Sequence, residues 1–235
     1  MSSEASRNQK QLVRELFRRI AADYDRVNRV ISLGQDQRWR KVALSMAQIP
    51  PGGRVLDVAT GTGDMALLAR DQPEEPYVVG ADLTIAMLQE ARRKIAGRGF
   101  PLVGSDGLAL AFTDDAFDVV LSAFMMRNVS DVKTALCEQY RVVRPGGRVV
   151  CLEITWPQRF PMAQLFGLYF YGLPPILGQL LAGAREPYRY LPRSVRRFMQ
   201  PSQLARVMEE VGLREVSWIS MMLGTVAIHT GVKPA

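Results

Sequence analysis

The sequence predicts an α/β domain: a doubly wound, mostly parallel seven-stranded sheet that closes on an antiparallel hairpin. Three observations carry that expectation. Between residues 54 and 154, short apolar runs alternate with amphipathic segments at crossover spacing, the pattern of parallel strands joined by helices. The first apolar run enters a glycine-rich turn, VLDVATGTGD, Val55 to Asp64. The last two runs, REVSWISM and TVAIHTGV, have only Leu223 and Gly224 near the turn between them and read as a hairpin. A length of 235 residues suffices for one such domain with a full core, and residues 1–235 read as a single one.

The elements follow in order. Residues 1–8 are polar and read as a frayed tail. One helix is expected from Lys10 until Gly34 stops it, with Leu12, Leu16 and Ile20 beside Val13 and Phe17. A second helix is QRWRKVALSMA, and residues 10–49 are expected to lie over the active site. After the turn Pro50 to Gly53 come the strand RVLDVA, the helix DMALLARD and the strand YVVGAD, which ends at Asp82. Thr84 is placed to cap a helix carrying Leu88, Ala91 and Ile95 on one face. A weak strand near Pro101 to Val103 precedes FDVVLSAF. Asp131 is placed to cap a helix whose core face is Val132, Leu136, Tyr140 and Val143, and RPGG then turns the chain into RVVCLEI. Residues 156–200 hold no clear strand and read as a helical lid inserted after the fifth strand. Their apolar stretch, Phe160 to Leu181, carries Pro161, Pro174, Pro175 and three glycines, so it is expected to be broken rather than membrane-spanning. SQLARVMEEVGL is the last helix.

Composition narrows the function. Apolar residues make up 48% and charged residues 23%, which excludes a disordered chain. The polar start MSSEASRNQKQ lacks an apolar leader, and Cys137 and Cys151 read as reduced core residues, so a cytoplasmic protein is expected. A net charge of +7 suits an anionic surface, either nucleic acid or membrane headgroups. RNA recognition would want aromatics interleaved with the basic residues. Here the aromatics precede the arginines as a block, so no nucleic acid partner is expected. No His/Cys/carboxylate cluster has metal-ligand spacing, and no metal is expected. No oligomeric state is expected over another.

The glycine loop poses the chemical question. Gly61-x-Gly63-x-x-Ala66 fits a dinucleotide turn, which keeps an oxidoreductase as an alternative. Yet Asp64 would stand almost at the helix N-terminus and repel a pyrophosphate. S-adenosylmethionine has no phosphate, and brings an ammonium, a sulfonium and a carboxylate. Asp57 or Asp64 can face the ammonium while the N–H groups of the turn meet the carboxylate. Asp82, ending the second strand, suits ribose hydroxyls; Asp106 suits the adenine amino group, and Gly107 N–H a ring nitrogen.

VLDVATGTGD, Asp82, SDGLALAF, FDVVLSAF and VVRPGG together resemble the successive motifs of class I S-adenosylmethionine-dependent methyltransferases, with their Rossmann-like sheet. More narrowly, ADYDRVNRVISLGQDQRWR, FMMRNVSD, PYRYLPRSVRRF and GTVAIHTGVK resemble the UbiE/MenG family, C-methyltransferases of ubiquinone and menaquinone biosynthesis. The match runs from about Leu12 to Lys233. The resemblance implies cofactor contacts at Thr62, Asp82, Asp106 and Gly107, with Asp57, Gly61, Gly63, Leu83 and Ala123 beside them. It implies a prenylated quinol as substrate, demethylmenaquinol going to menaquinol. Three positions depart from the family pattern: Ala123 replaces a serine, and Met125 and Thr60 each replace a glycine. Met125 is expected to add bulk close to the methyl-transfer site, which leaves a paralogue acting on another phenolic acceptor as the alternative.

Within that chemistry Arg127 is the candidate to stabilise a developing phenolate or hold a water, and Asn128 to orient the same hydroxyl. His229, the single histidine, is a general base if it faces the pocket and a satisfied core residue if it does not. Tyr188 and Tyr190 are further candidates. The lid's apolar block, followed by Arg185, Arg189, Arg193, Arg196 and Arg197, suits peripheral contact with the inner face of a membrane, the source of an isoprenoid substrate. A solvated basic helix face is the alternative.

Overall fold

The computed structural model describes residues 3–96 and 99–235. Its strands are β1 (Arg54–Val58), β2 (Tyr77–Asp82), β3 (Leu102–Gly104), β4 (Phe117–Ala123), β5 (Val143–Ile154), β6 (Arg214–Met221) and β7 (Val226–Val232). They form one seven-stranded sheet in the order β3-β2-β1-β4-β5-β7-β6. The first five run parallel, and β7 lies antiparallel between β5 and β6. The doubly wound sheet with its closing hairpin is therefore as expected.

Helices on both faces explain why the central strands read as unbroken apolar runs rather than alternating ones. On one face α3 (Gln35–Ala47) and α4 (Asp64–Arg70) bury Ala43, Leu44, Met65 and Ala66. On the other, α6 (Val132–Val142) and α9 (Pro201–Val211) bury Leu136, Leu204 and Met208. α5 (Ile85–Lys94) packs beside β2 and β3. Strand order reverses between β1 and β4, where open parallel sheets present a crevice at their carboxyl ends. That crevice is roofed by α1 (Ser3–Ile20), α2 (Tyr24–Ile31), α7 (Met162–Ala182) and α8 (Glu186–Arg197). Ile20, Val27, Ile31, Met87 and Tyr188, with Leu177 and Leu181, join this roof to α5.

Several local expectations are corrected. The first helix begins at Ser3, not Lys10. Tertiary contacts hold its polar start: Ser6 Oγ lies 2.6 Å from Ser130 Oγ, and Gln9 Nε2 donates to the carbonyls of Asn128 and Val129 at 3.3 and 3.1 Å. Met1 and Ser2, part of the same expected tail, lie outside the described residues. The helix also bends, through a 3-10 turn at Ala21–Asp23, which sets Phe17 and Tyr24 edge to face at 5.9 Å. Asp131 caps α6 as expected, accepting from Thr134 N at 3.1 Å. Thr84 occupies the cap position of α5, but its side chain makes no cap bond; Asp82 takes the Thr84 N–H instead, at 2.7 Å. Val143 opens β5 rather than ending α6, and the RPGG segment lies within an irregularly paired strand. The hairpin is wider than expected, with a 3-10 turn at Met222–Gly224.

The lid departs most. α7 is a continuous 21-residue helix through Pro174 and Pro175, not a broken segment. A proline withholds one N–H and crowds the preceding turn. Both prolines are buried, and α2 and α8 pack on α7 and hold it. By length and composition alone α7 could cross a bilayer, and only 22% of its most apolar window is buried in protein. Of the cysteines, Cys151 is buried as expected but Cys137 is exposed.

Candidate active site

Two cavities meet at the carboxyl ends of β1, β2, β4 and β5. The smaller is lined by Gly61, Asp82, Leu83, Asp106, Gly107, Ala123 and Met125, and is covered by Lys10, Val13 and Phe17 of α1. The larger has a volume of about 490 Å³ and lies beneath the lid, walled by residues such as Leu16, Ile20, Trp39, Phe166, Phe170 and Tyr188. Phe17, Tyr24, Phe124 and Asn128 line both, and form the wall between them.

The glycine turn is built for close approach. Gly61 has φ +58°, and a side chain there would meet nothing within 4 Å, so its backbone faces the cavity bare. Gly63, φ +85°, starts α4 and packs against Ala91 and Phe100 behind the wall. Asp57 also stands behind the wall. Its Oδ2 accepts from Thr60 Oγ1 at 2.6 Å and Ala66 N at 3.1 Å. Burial pushes its carboxyl up to about 7, against the Thr60 hydrogen bond and the Arg40 charge. Thr60 thus has a role that a glycine at that position could not fill. Thr62 donates to Asp25 Oδ1 at 2.5 Å and does not line the cavity. Asp64 is turned toward Lys94 and Gln37; burial would raise its pKa, but the Arg40 and Lys94 charges outweigh burial and lower it.

Asp82 and Asp106 do face the smaller cavity. Asp82 Oδ2 accepts from Gly61 N at 2.9 Å. Asp106 accepts from Leu108 N at 3.0 Å and from Lys10 Nζ at 2.6 Å. Met125 lies against Gly107, where a Cβ would come within 2.2 Å of Met125 Cε. Its bulk therefore sits at the smaller cavity and does not line the larger one.

At the shared wall, Phe124 adopts φ +60° and its carbonyl accepts from Arg127 Nη1 at 2.8 Å and Asn128 Nδ2 at 2.9 Å. Because Nδ2 must be the donor there, Asn128 Oδ1 is the free end of the amide. Arg127 Nη1 also donates to Glu153 Oε1, and Arg127 N to Glu153 Oε2 at 3.2 Å. Among the described residues, Arg127 Nε, Asn128 Oδ1, Arg40 Nε, Trp39 Nε1 and Asp57 Oδ1 are buried without a hydrogen-bond partner. The Phe124 ring lies between the Arg40 and Arg127 guanidiniums, 5.1 and 5.8 Å from its centroid.

His229 is corrected as a site residue. It is fully buried in β7, stacks on Trp218 at 6.0 Å, bonds the Pro201 carbonyl through Nε2 at 2.9 Å and lines neither cavity. Burial lowers its pKa to about 4. Tyr188 and Tyr190 do line the larger cavity. Glu153, Arg40 and Tyr24 were not singled out from the sequence as site residues. For Glu153 a signal was present: a carboxylate inside the apolar run RVVCLEI.

The chain matches the ubiE/COQ5 methyltransferase family over residues 4–233. The chain belongs to that family. It is an S-adenosylmethionine-dependent methyltransferase. A demethylmenaquinone methyltransferase of Thermus thermophilus is 42% identical over 221 residues, 93% of this chain and 100% of that one. Another, from Roseiflexus castenholzii, is 40% identical and covers 94% of this chain and 93% of its own. The ubiquinone/menaquinone biosynthesis C-methyltransferase UbiE of Desulfotalea psychrophila is 40% identical, with 94% and 90% covered. Among solved structures, a SAM-dependent methyltransferase of Thermotoga maritima superposes with a TM-score of 0.66 at 17% identity, covering 94% of this chain and 99% of that one. The [4+2]-cyclase SpnF does so at 0.65 and 20%, covering 85% and 82%; such likenesses speak for the fold alone.

The smaller cavity of this ubiE/COQ5-family chain fits the methyl donor on its own observations. Gly61 leaves a bare backbone, and the carboxylates of Asp82 and Asp106 face the cavity, where they can take hydroxyl and amino donors.

Proposed function

We propose that this enzyme methylates a ring carbon of a prenylated quinol, with demethylmenaquinol the leading acceptor. One observation carries the reading. Two residues that line the larger cavity keep unpaired polar atoms, the donor Arg127 Nε and, in the wall shared with the smaller cavity, the acceptor Asn128 Oδ1. A phenolic hydroxyl is the group that uses both, donating to the amide oxygen and accepting from the guanidinium. A ring and the first part of an isoprenoid chain suit a largely apolar cavity of about 490 Å³. The relatives named above as demethylmenaquinone methyltransferases support the same acceptor.

Asp82, Asp106, Gly61 and the Gly107 backbone would hold S-adenosylmethionine, with Leu83 and Ala123 packing on it. When bound, that group supplies an electrophilic methyl whose transfer to the ring leaves a neutral thioether and, in net, one proton. The chain supplies the rest. Asn128 Oδ1 takes the hydrogen bond of the ring hydroxyl and fixes which carbon lies at the wall. Arg127 Nε stabilises the oxygen as charge builds on it, in a site screened from water by Phe17, Phe124 and the lid. Holding the ring this way favours reaction at carbon over oxygen, because the oxygen is occupied.

The lid carries the route to the substrate. Leu165, Leu168, Ile176 and Leu180 of α7 are exposed, as are Leu33 and Leu223 at the rim of the larger cavity. Arg185, Arg189, Arg193, Arg196 and Arg197 are exposed beside them. This reading has the enzyme work peripherally at a bilayer that holds the isoprenoid tail. Mass spectrometry of the quinone pool in a deletion strain tests the acceptor. Demethylmenaquinone should accumulate; an unchanged pool would refute the reading.

A further inference from the structure

Glu153 is fully buried, within β5, between Leu152 and Ile154 and opposite Ala227 of β7. A carboxylate in such a place is tolerated only when its oxygens are hydrogen-bonded. They receive Arg127 Nη1 and Ile154 N on Oε1, the latter at 2.9 Å, and Arg127 N on Oε2 at 3.2 Å. Two of these donors belong to one residue, in the turn that follows β4. Glu153 itself lines neither cavity, whereas Arg127 lines the larger one. The carboxylate is therefore placed to aim a neighbour rather than to react.

What it aims follows from the geometry of a guanidinium. The group is planar, so two fixed contacts set the direction of every N–H. Nη1 is fixed by Glu153 and by the Phe124 carbonyl, and the backbone N–H of Arg127 is fixed by Glu153 as well. The buried Nε then has one orientation, and no partner within the chain among the described residues. We propose that Glu153 is a positioning residue for methyl transfer, holding Arg127 so that Nε meets the ring oxygen of the acceptor and offsetting the guanidinium charge there. The proposal rests on the role of Arg127 given under the proposed function.

Glu153→Gln keeps the shape and removes the charge. The amide nitrogen cannot accept from Arg127, so the grip loosens and kcat falls. With its counter-charge gone, the guanidinium favours the ionised form of the bound ring hydroxyl more strongly, and the acid limb of kcat moves to lower pH. The other groups around Arg127 are Tyr24 of α2, Tyr190 of α8 with Arg197 beyond it, and Arg40 across the Phe124 ring. Burial raises the pKa of both tyrosines, so they stay neutral through the range scanned and do not imitate the shift.

The test compares wild type, Glu153→Gln, Arg127→Ala and the double variant with a short-tailed quinol, adding calorimetry with S-adenosylhomocysteine. Glu153→Gln should lower kcat roughly ten- to hundredfold, as lost supporting contacts do, and shift the acid limb by about one unit. Its affinity for S-adenosylhomocysteine should change less than about twofold. In the Arg127→Ala background the same substitution should change kcat by less than about twofold, since its target is gone. Glu153→Asp, which keeps the charge but withdraws it by one methylene, should lower kcat without moving the limb, and decides the matter if the glutamine variant does not fold. Additive losses in the double variant, wild-type kcat in the single ones at Glu153, or a parallel loss of cofactor affinity would each overturn the proposal. Wild-type kcat in Arg127→Ala would instead sink the reading of Arg127 itself.

Discussion

Asp82 and His229 show how differently two buried titratable residues at strand positions serve this chain. Asp82 closes the glycine turn through Gly61 N and keeps lone pairs toward the smaller cavity. Asp82→Ala should cost roughly 2 to 4 kcal/mol of cofactor binding, the scale of charged hydrogen bonds lost from a closed site. Calorimetry with S-adenosylhomocysteine measures it, and unchanged affinity in a folded variant would remove Asp82 from the site. His229 is held neutral, with a pKa of about 4 against an ordinary 6.5. Its contribution to stability is complete above pH 6.5 and is lost as pH falls toward 4, because the unfolded state then binds the extra proton. The loss amounts to roughly 3 kcal/mol. His229→Gln should flatten that slope in denaturant titrations while leaving kcat at pH 7.5 within about twofold of wild type; a large fall in kcat alone would return it to the chemistry. Asp82 and Asp106 were legible as carboxylates at strand ends, and Arg127 with Asn128 only through the resemblance of their RNV block to the family pattern. The sequence did not separate His229 from the site or bring Glu153 into it, since which face of a strand meets a cavity depends on what packs there.

The elements divide in the same way. Strands were legible because helices bury both faces and leave apolar runs, and turns because glycine and proline punctuate them. The start of α1 was not legible: its polar residues take their partners from the 128–130 turn, far away in sequence. Nor was α7, whose two prolines argue locally for a break. Gly178 shows what that helix must accommodate. A Cβ there would fall 2.0 Å from Tyr188 Cδ2, so α8 lies directly on α7. Gly178→Ala should therefore destabilise by about 1 to 3 kcal/mol through overpacking. It should also raise KM for the quinol, because Tyr188 lines the larger cavity; thermal melts and kinetics check both. The basic face of the lid has its own test. Near an anionic bilayer each arginine contributes about 1 kcal/mol, so replacing Arg193, Arg196 and Arg197 with glutamine should weaken co-sedimentation with anionic vesicles. It should raise KM for a long-tailed quinol and spare a short-tailed one. Equal effects on both substrates would make the cluster part of the fold.

Across the whole molecule, the sheet's reversal of strand order sets two cavities side by side, in the proposed reading one for the cofactor and one for the acceptor, and the chain's specific content lies in the wall between them. The fold is shared with enzymes of other chemistry, such as the cyclase SpnF, so it does not choose the reaction. In the proposed reading that choice falls to the wall, where Phe124 is held at φ +60° with Arg40 and Arg127 over its ring and Asn128 beside it. On that reading, Arg127 and Asn128 present a donor and an acceptor to a phenolic oxygen and leave a ring carbon to receive the methyl. The most direct measurement is product analysis after incubating the purified enzyme with methyl-deuterated S-adenosylmethionine and a reduced prenylated naphthoquinol. The account predicts the label on a ring carbon, with the reduced acceptor only, and its loss in Arg127→Ala. Label on oxygen, or equal transfer to the oxidised quinone, would contradict it.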